Sequence, residues 1–241
     1  MKYRLIFLFV LYSSLVLAQN RRTSLSLEIG PSFALKDFAS KEIKLFSDTA
    51  ATYPGFAKTG LILRVVFDYK MSHNMGFQAD FLYAYNSIDA VALGKGFSEK
   101  YHGELSVIPN TPWSVMGILV GPYIRVPLME NFSFIVKGKL GGVGVYNPDY
   151  ALKGKNQSGE KVEYFQYVSK TFALAWSAGG GLRFRLNDYY ISLNADYQSI
   201  TADFKNVTGQ NWSVNPPEKT TYSFRQKIQQ LSITLGVAYI F

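Results

Sequence analysis

The sequence predicts an all-β fold: a single eight-stranded antiparallel up-and-down barrel of the transmembrane kind, with short turns at one end and four long loops at the other. Three observations predict it. Eight segments alternate apolar and polar residues with the period of two that a strand requires. The links between those segments alternate between short and long. Aromatic residues make up 16% of the chain, with 17 Tyr, 18 Phe and 20 Gly, yet mean hydropathy is only +0.01. That mixture suits strands with one oily and one wet face, as a lipid-spanning barrel needs.

The N-terminus reads as a leader. Met1-Lys-Tyr-Arg4 is a basic start, Leu5 to Leu17 is apolar, and Val16-Leu-Ala18 is a small-residue cleavage site before Gln19. The apolar stretch is too short for a good membrane span. Residues 1–18 are therefore expected to be a signal peptide, and residues 19–241 one exported barrel domain. The chain has no Cys, which excludes a lipoprotein anchor and disulfides. Beyond the leader, the longest apolar run, Val115 to Ile124, is about half the length of a membrane helix and is broken by Gly117, Gly121 and Pro122.

The first strand runs from Thr23 to about Phe33, with Leu25, Leu27, Ile29, Pro31 and Phe33 opposite Ser24, Ser26, Glu28, Gly30 and Ser32. The second, Gly60 to Lys70, sets Leu61, Leu63, Val65, Phe67 and Tyr69 against Ile62, Arg64, Val66 and Asp68. The third, Met75 to Asn86, sets Phe77, Ala79, Phe81, Tyr83 and Tyr85 against Gln78, Asp80, Leu82 and Ala84. The fourth spans about Trp113 to Val126 and the fifth about Phe132 to Val145. The sixth, Thr171 to Leu186, carries Phe172, Leu174, Trp176, Leu182 and Phe184 opposite Ser177, Arg183 and Arg185. The seventh is Tyr189 to about Thr201. In the eighth, about Arg225 to Phe241, Leu231, Ile233, Leu235, Val237, Tyr239 and Phe241 share one face.

Met71-Ser-His-Asn74, Met129-Glu-Asn131 and Asn187-Asp188 are the short links, each with an Asn that tolerates turn geometry. The long connections are 34–59, 87–112, 146–170 and 202–224, which a soluble sandwich would not need to alternate so strictly.

The end of the chain resembles the C-terminal insertion signal of bacterial outer-membrane β-barrels, carried by Leu235, Val237, Tyr239 and Phe241. With the leader, the eight-strand plan, Ile29-Gly-Pro31, Val120-Gly-Pro-Tyr123, the Asn turns and the final Phe, the chain resembles the PorT-like "porin family" outer-membrane β-barrel domain of Bacteroidetes-type Gram-negative bacteria. The resemblance covers the chain after the leader. It implies an outer-membrane location with periplasmic turns and extracellular loops. It also implies contact with outer-membrane lipid and lipopolysaccharide, and handling by the barrel-assembly machinery. It does not imply a secretion role.

If the oily face meets lipid, the other face is a lumen holding Glu28, Arg64, Asp68, Asp80, Arg125, Lys137, Lys139, Arg183, Arg185 and Asp196. Eight strands leave an interior that side chains can fill or that can hold one small ligand. Buried charges require partners, so a salt-bridged plug is expected, with Arg183 and Asp196 as an example pair. A narrow anion-favouring path or small-ligand site is the alternative. Tyr69, Phe77, Phe132, Tyr189, Tyr239 and Phe241 read as one aromatic girdle, and Trp113, Tyr146 and Phe172 as the other.

The formal charge is +8, with basic residues interleaved among acids and aromatics, so nucleic-acid binding is not expected. Two distant His and no Cys offer no metal site, and no cofactor is expected. His102-Gly-Glu104-Leu-Ser106 is the one constellation a lipid-modifying hydrolase would need to use. Asp48-Thr-Ala50 resembles a bacterial O-glycosylation motif at Thr49. The loops are rich in aromatics and carry charges of both signs, which suits recognition above a rigid scaffold or packing against lipopolysaccharide. The expected function is that of a non-enzymatic integral outer-membrane protein, structural or surface-binding, or an accessory subunit with an envelope protein partner. A narrow solute channel and a lipid-modifying enzyme are the alternatives.

Overall fold

The computed structural model describes residues 22–41, 53–214 and 216–241. Residues 1–18, expected to be a signal peptide, and Asp48-Thr-Ala50 lie outside the described residues. The elements in chain order are β1 (Thr23–Leu35), α1 (Lys36–Ala39), β2 (Gly60–Lys70), β3 (Met75–Asn86), α2 (Ala90–Tyr101), β4 (Glu104–Pro109), β5 (Trp113–Pro127), β6 (Phe132–Tyr146), β7 (Tyr150–Lys155), β8 (Lys161–Gln166), β9 (Lys170–Leu186), β10 (Tyr189–Asn211) and β11 (Glu218–Ile240).

Eight of these strands are the predicted ones, and they form a closed antiparallel ring. Pairing runs β11-β1-β2-β3-β5-β6-β9-β10, and β10 pairs back onto β11. Closure gives each of the eight ring strands a partner on both sides, so the ring itself has no free strand edge. The turns follow from their residues. Asn187 takes a left-handed φ of 54° between β9 and β10, a conformation Asn tolerates better than most residues. In the turn between β2 and β3, Met71 and Ser72 both donate to the Met75 carbonyl.

The alternation along each strand sorts the residues by face. Leu25, Leu27 and Ile29 of β1, Leu235 and Val237 of β11, and Leu174 of β9 point outward and are about half exposed or more, Leu174 being 79% exposed. Their neighbours Ser26, Glu28, Thr234 and Ser177 point inward and are buried. The barrel is therefore inside out relative to a soluble one: large apolar side chains cover its outer wall, and charged groups lie inside.

Three predictions need correction. The connection 202–224 is not a loop for most of its length: β10 and β11 continue as a paired hairpin of 23 residues each, to Asn211 and from Glu218. The connections 87–112 and 146–170 hold α2, β4, β7 and β8, and these short strands extend the sheet from β10 in the order β8-β7-β4. Trp113, placed in a girdle from its position at a strand end, points inward instead. It is buried, donates from Nε1 to the Gly55 carbonyl at 2.9 Å, and packs edge-on against Phe38. Phe172 and the turn-end Tyr69, Phe77, Tyr189 and Tyr239 are exposed on the outer wall.

Inside, the barrel has two halves. Towards the turns the interior is charged. Towards the loops it is apolar, where Phe38, Ile62, Leu82, Trp113, Val115, Val143, Ile200, Phe204 and Ile228 form one cluster. Phe38 belongs to α1, so residues after β1 fold down into the ring and fill it.

Candidate functional site

The charged half of the lumen is built on facing pleats. Arg64 of β2 sits opposite Glu28 of β1. Its guanidinium reaches across the barrel to Asp196 at 2.5 Å and to the Ser232 hydroxyl at 2.7 Å. Lys137 of β6 lies 3.2 Å from the same Asp196 carboxylate and donates to Asn194 at 3.0 Å. Glu28 accepts from Asn194 at 3.0 Å and from Thr234 at 3.1 Å, and Lys139 pairs with Asp80. Nearer the turns, Asp68 accepts from Arg183 at 3.1 Å, from Tyr190 at 2.5 Å and from Ser24 at 3.2 Å. Arg183 lies over the rings of Tyr190 and Tyr123, 4.5 and 5.4 Å from their centroids.

Three glycines make room for these groups. A Cβ on Gly179 would collide with Asp196 Oδ1, one on Gly181 would collide with Asn194 Oδ1, and one on Gly236 would fall 2.8 Å from the Glu28 side chain. A bare backbone on one wall is what allows a large charged side chain on the other.

The network is balanced. Glu28, Asp68, Asp80 and Asp196 are buried, and so are Arg64, Lys137, Lys139 and Arg183. Arg183 pairs with Asp68, not with Asp196. The other two predicted lumen residues stand apart. Arg125 is half-buried, while Arg185 is exposed and donates to the Asn187 carbonyl at 3.1 Å. Both sit within three residues of a turn, where the strand has left the enclosed interior, so alternation alone overstates their burial.

The second feature is a loop-side cavity of about 1120 Å³. Phe56, Trp113 and Phe224 form part of its apolar lining, and Tyr164, Gln166 and Tyr222 supply polar groups. Around it, α2 packs on β4 through Leu93, Leu105 and Val107, joined by Phe56, Tyr150 and Leu152. Asp89 caps α2 by accepting from the Ala92 amide at 3.2 Å and is held by Lys41 at 2.5 Å. The Lys41 ammonium holds the Asp89 carboxyl below its ordinary value, with help from the Ala92 amide. Burial pushes the phenols of Tyr150 and Tyr164 upward, so both stay neutral at physiological pH. Gly209 is needed here, because a Cβ would collide with the Tyr164 hydroxyl.

The loop aromatics are not all at the surface: Phe38 is buried in the barrel interior and Phe56 in the cluster with α2 and β4, which the loop composition alone does not reveal. His102 forms the left-handed C-cap of α2 at φ 48°, and the Ser106 hydroxyl donates to the Lys153 carbonyl at 3.1 Å. Among the described residues no hydrogen bond joins His102, Glu104 and Ser106.

No family model matches the chain, and comparison with curated proteins gives no match. Solved structures do resemble it. A major outer membrane protein from Thermus thermophilus aligns over 91% of this chain and 99% of its own at 12% identity, with a TM-score of 0.47. Ail, the attachment invasion locus protein of Yersinia pestis, aligns over 91% and 97% at 14% identity, TM-score 0.43. Neisserial surface protein A aligns over 91% and 97% at 10% identity, TM-score 0.42. At these scores the assignment of the fold rests on the strand pairings themselves.

Proposed function

We propose that this protein is an integral outer-membrane β-barrel of the PorT-like kind, exported by a cleaved signal peptide, non-enzymatic and non-conducting, whose loop-side cavity binds a ligand at the cell surface. The observation that carries the reading is the inverted barrel: an apolar outer wall around a closed, charge-paired interior. Water cannot solvate such a wall cheaply, since each buried CH₂ is worth about 0.8 kcal/mol on transfer out of water. The belt also has the right height. On β10 and β11 the outward residues are apolar from Tyr189 to Tyr197 and from Leu231 to Tyr239, then turn polar at the paired Ser199 and Gln229 and stay so at Thr201, Asp203, Arg225 and Lys227. Nine residues at ~3.4 Å each, tilted about 40°, span roughly 20 to 25 Å along the axis, the height of an outer-membrane belt. The exposed Asp203–Arg225 pair, 2.6 Å apart, marks its upper edge.

The non-conducting reading is supported by the apolar cluster and the ion-paired layer stacked in one lumen. The surface-binding reading is supported by the cavity, whose size and apolar walls with few polar groups suit a small amphipathic ligand or a peptide side chain. The experiment is fractionation with semi-native electrophoresis, then planar-bilayer recording. The protein should sediment with outer membranes, migrate faster unheated than boiled, and give no steady current. Recovery as a soluble protein without a heat-dependent shift would refute the membrane reading, and large stable currents would refute the plug.

A further inference from the structure

The turn-side mouth of the barrel carries an unbalanced set of cations. A pocket of about 90 Å³ opens there, lined among others by Arg22, Lys70, Arg125, Arg183 and Arg185, and among the described residues Asp68 is the one carboxylate in its wall. Asp68 is already committed to Arg183, Tyr190 and Ser24. The interior above is neutral, four buried carboxylates against four buried cations, so nothing deeper in the lumen offsets the excess. Asp188, in the adjoining turn, is outside the pocket wall.

Two of the arginines show the mismatch locally. Arg125 has no carboxylate partner among the described residues, and its charged neighbours are Arg183 and Arg185. Its Nε is buried without a hydrogen-bond partner. Arg183 is nine-tenths buried, yet its Nε also lacks a partner although its Nη2 is on Asp68. A buried donor left unpaired costs free energy, and like charges lining one small pocket add to that cost. A third ion of opposite sign removes both costs at once.

We infer that this mouth is a binding site for a phosphate group, held by Arg125, Arg183 and Arg185 with Lys70 and Arg22 at its rim. Guanidinium groups match the paired oxygens of a phosphate, and the excess of charge suits a dianion better than a single carboxylate. The pocket has room for one small oxyanion and its waters. The phosphate has two possible sources, a free phosphorylated solute or the headgroup of a lipid in the adjoining leaflet. The lipid source rests on the membrane reading above, whereas the solute source does not.

The test uses the protein extracted from membranes in detergent, with its unfolding midpoint read in sodium phosphate and in sodium chloride of equal ionic strength. A parallel arm compares nanodiscs of phosphatidylcholine with nanodiscs containing phosphatidic acid, whose headgroup is a phosphomonoester. Wild type should gain a higher midpoint from phosphate, from phosphatidic acid, or from both. The arm that responds identifies the source. Arg125→Gln should leave the chloride midpoint unchanged or raise it, because like-charge repulsion is relieved, while phosphate affinity falls about tenfold or more. Arg185→Gln should act in the same direction. A merely structural arginine would behave oppositely, lowering the chloride midpoint and keeping the phosphate response. That result, or equal midpoints in both arms for wild type, would overturn the site.

Discussion

Replacing Asp196 by Leu removes the carboxylate on which two cations converge, Arg64 at 2.5 Å and Lys137 at 3.2 Å. Asp196 is wholly buried and Arg64 is 2% exposed, so neither cation can turn to water without leaving the lumen. At an effective dielectric of about 20, one charge pair 4 Å apart is worth about 4 kcal/mol, and desolvation offsets part of it. Breaking a buried pair by removing one member costs about 3 to 5 kcal/mol in general, and that is the loss expected here. Urea unfolding in lipid vesicles, followed by the heat-shifted band on gels, measures it. The double variant Arg64→Met/Asp196→Leu provides the control. It leaves three carboxylates facing three cations and should recover most of the loss. In a water-filled pore the same pair would be worth no more than about 1 kcal/mol. A loss that small for Asp196→Leu, or no recovery in the double variant, would refute the closed-lumen reasoning.

Other perturbations probe other parts of the fold. Val237→Arg, on the outer wall at 55% exposure, should cost about 2 to 4 kcal/mol of vesicle-reconstituted stability if it sits near the bilayer midplane; Gly236→Arg next to it should instead block assembly by colliding with Glu28 and Ser192. Gly179→Ala should cost about 1 to 3 kcal/mol by overpacking, because the backbone oxygen of Ala195 lies 2.5 Å from the new Cβ and cannot yield; urea midpoints check it. Lys41 and the Ala92 amide depress the Asp89 carboxyl, so the stability it contributes is present above its unfolded value of about 4 and is lost as pH falls through its lower folded value. Hydrogen exchange at the first turn of α2 should rise over that acid range in wild type and be flat in Asp89→Asn.

The ring was legible because its physics is local. A strand with an apolar outer wall on one side and a polar lumen on the other must alternate, and β2 and β3 run between the residues expected, Gly60–Lys70 and Met75–Asn86. The loop-side elements were not, because nothing in them alternates strongly. Gly94 and Gly96 weaken the helical signal of α2, yet Gly94 is where the helix lies against β4, its Cβ position being 3.3 Å from the Leu105 carbonyl. Asp89 as a capping residue ahead of Ala-Val-Ala-Leu was the signal that could have found it. The β10–β11 hairpin outlasted its predicted end because polar outward residues replace aliphatic ones above the belt while pairing continues, and a bulge near Asn206 hides the period.

Inside the barrel the limit was different. Alternation told which side chains point inward, so Arg64, Lys137 and Asp196 could be placed in a lumen. It could not tell that Phe38 would enter the same lumen from another segment and make its upper half apolar. It also could not separate Arg183, packed against the rings of Tyr123 and Tyr190, from Arg185, which has already passed the rim two residues on.

Whether the outer wall faces lipid is directly measurable, because the chain has no cysteine of its own. Single cysteines placed in turn at positions 235, 237 and 239 of β11, each outward-facing and each carrying a fluorophore, would be read in vesicles containing a lipid-phase quencher and then with a water-soluble one. All three should be quenched from the lipid and shielded from the water-soluble quencher. Quenching of 235, 237 and 239 from water, as strongly as a label in an exposed loop, would mean that this wall is not embedded in a membrane.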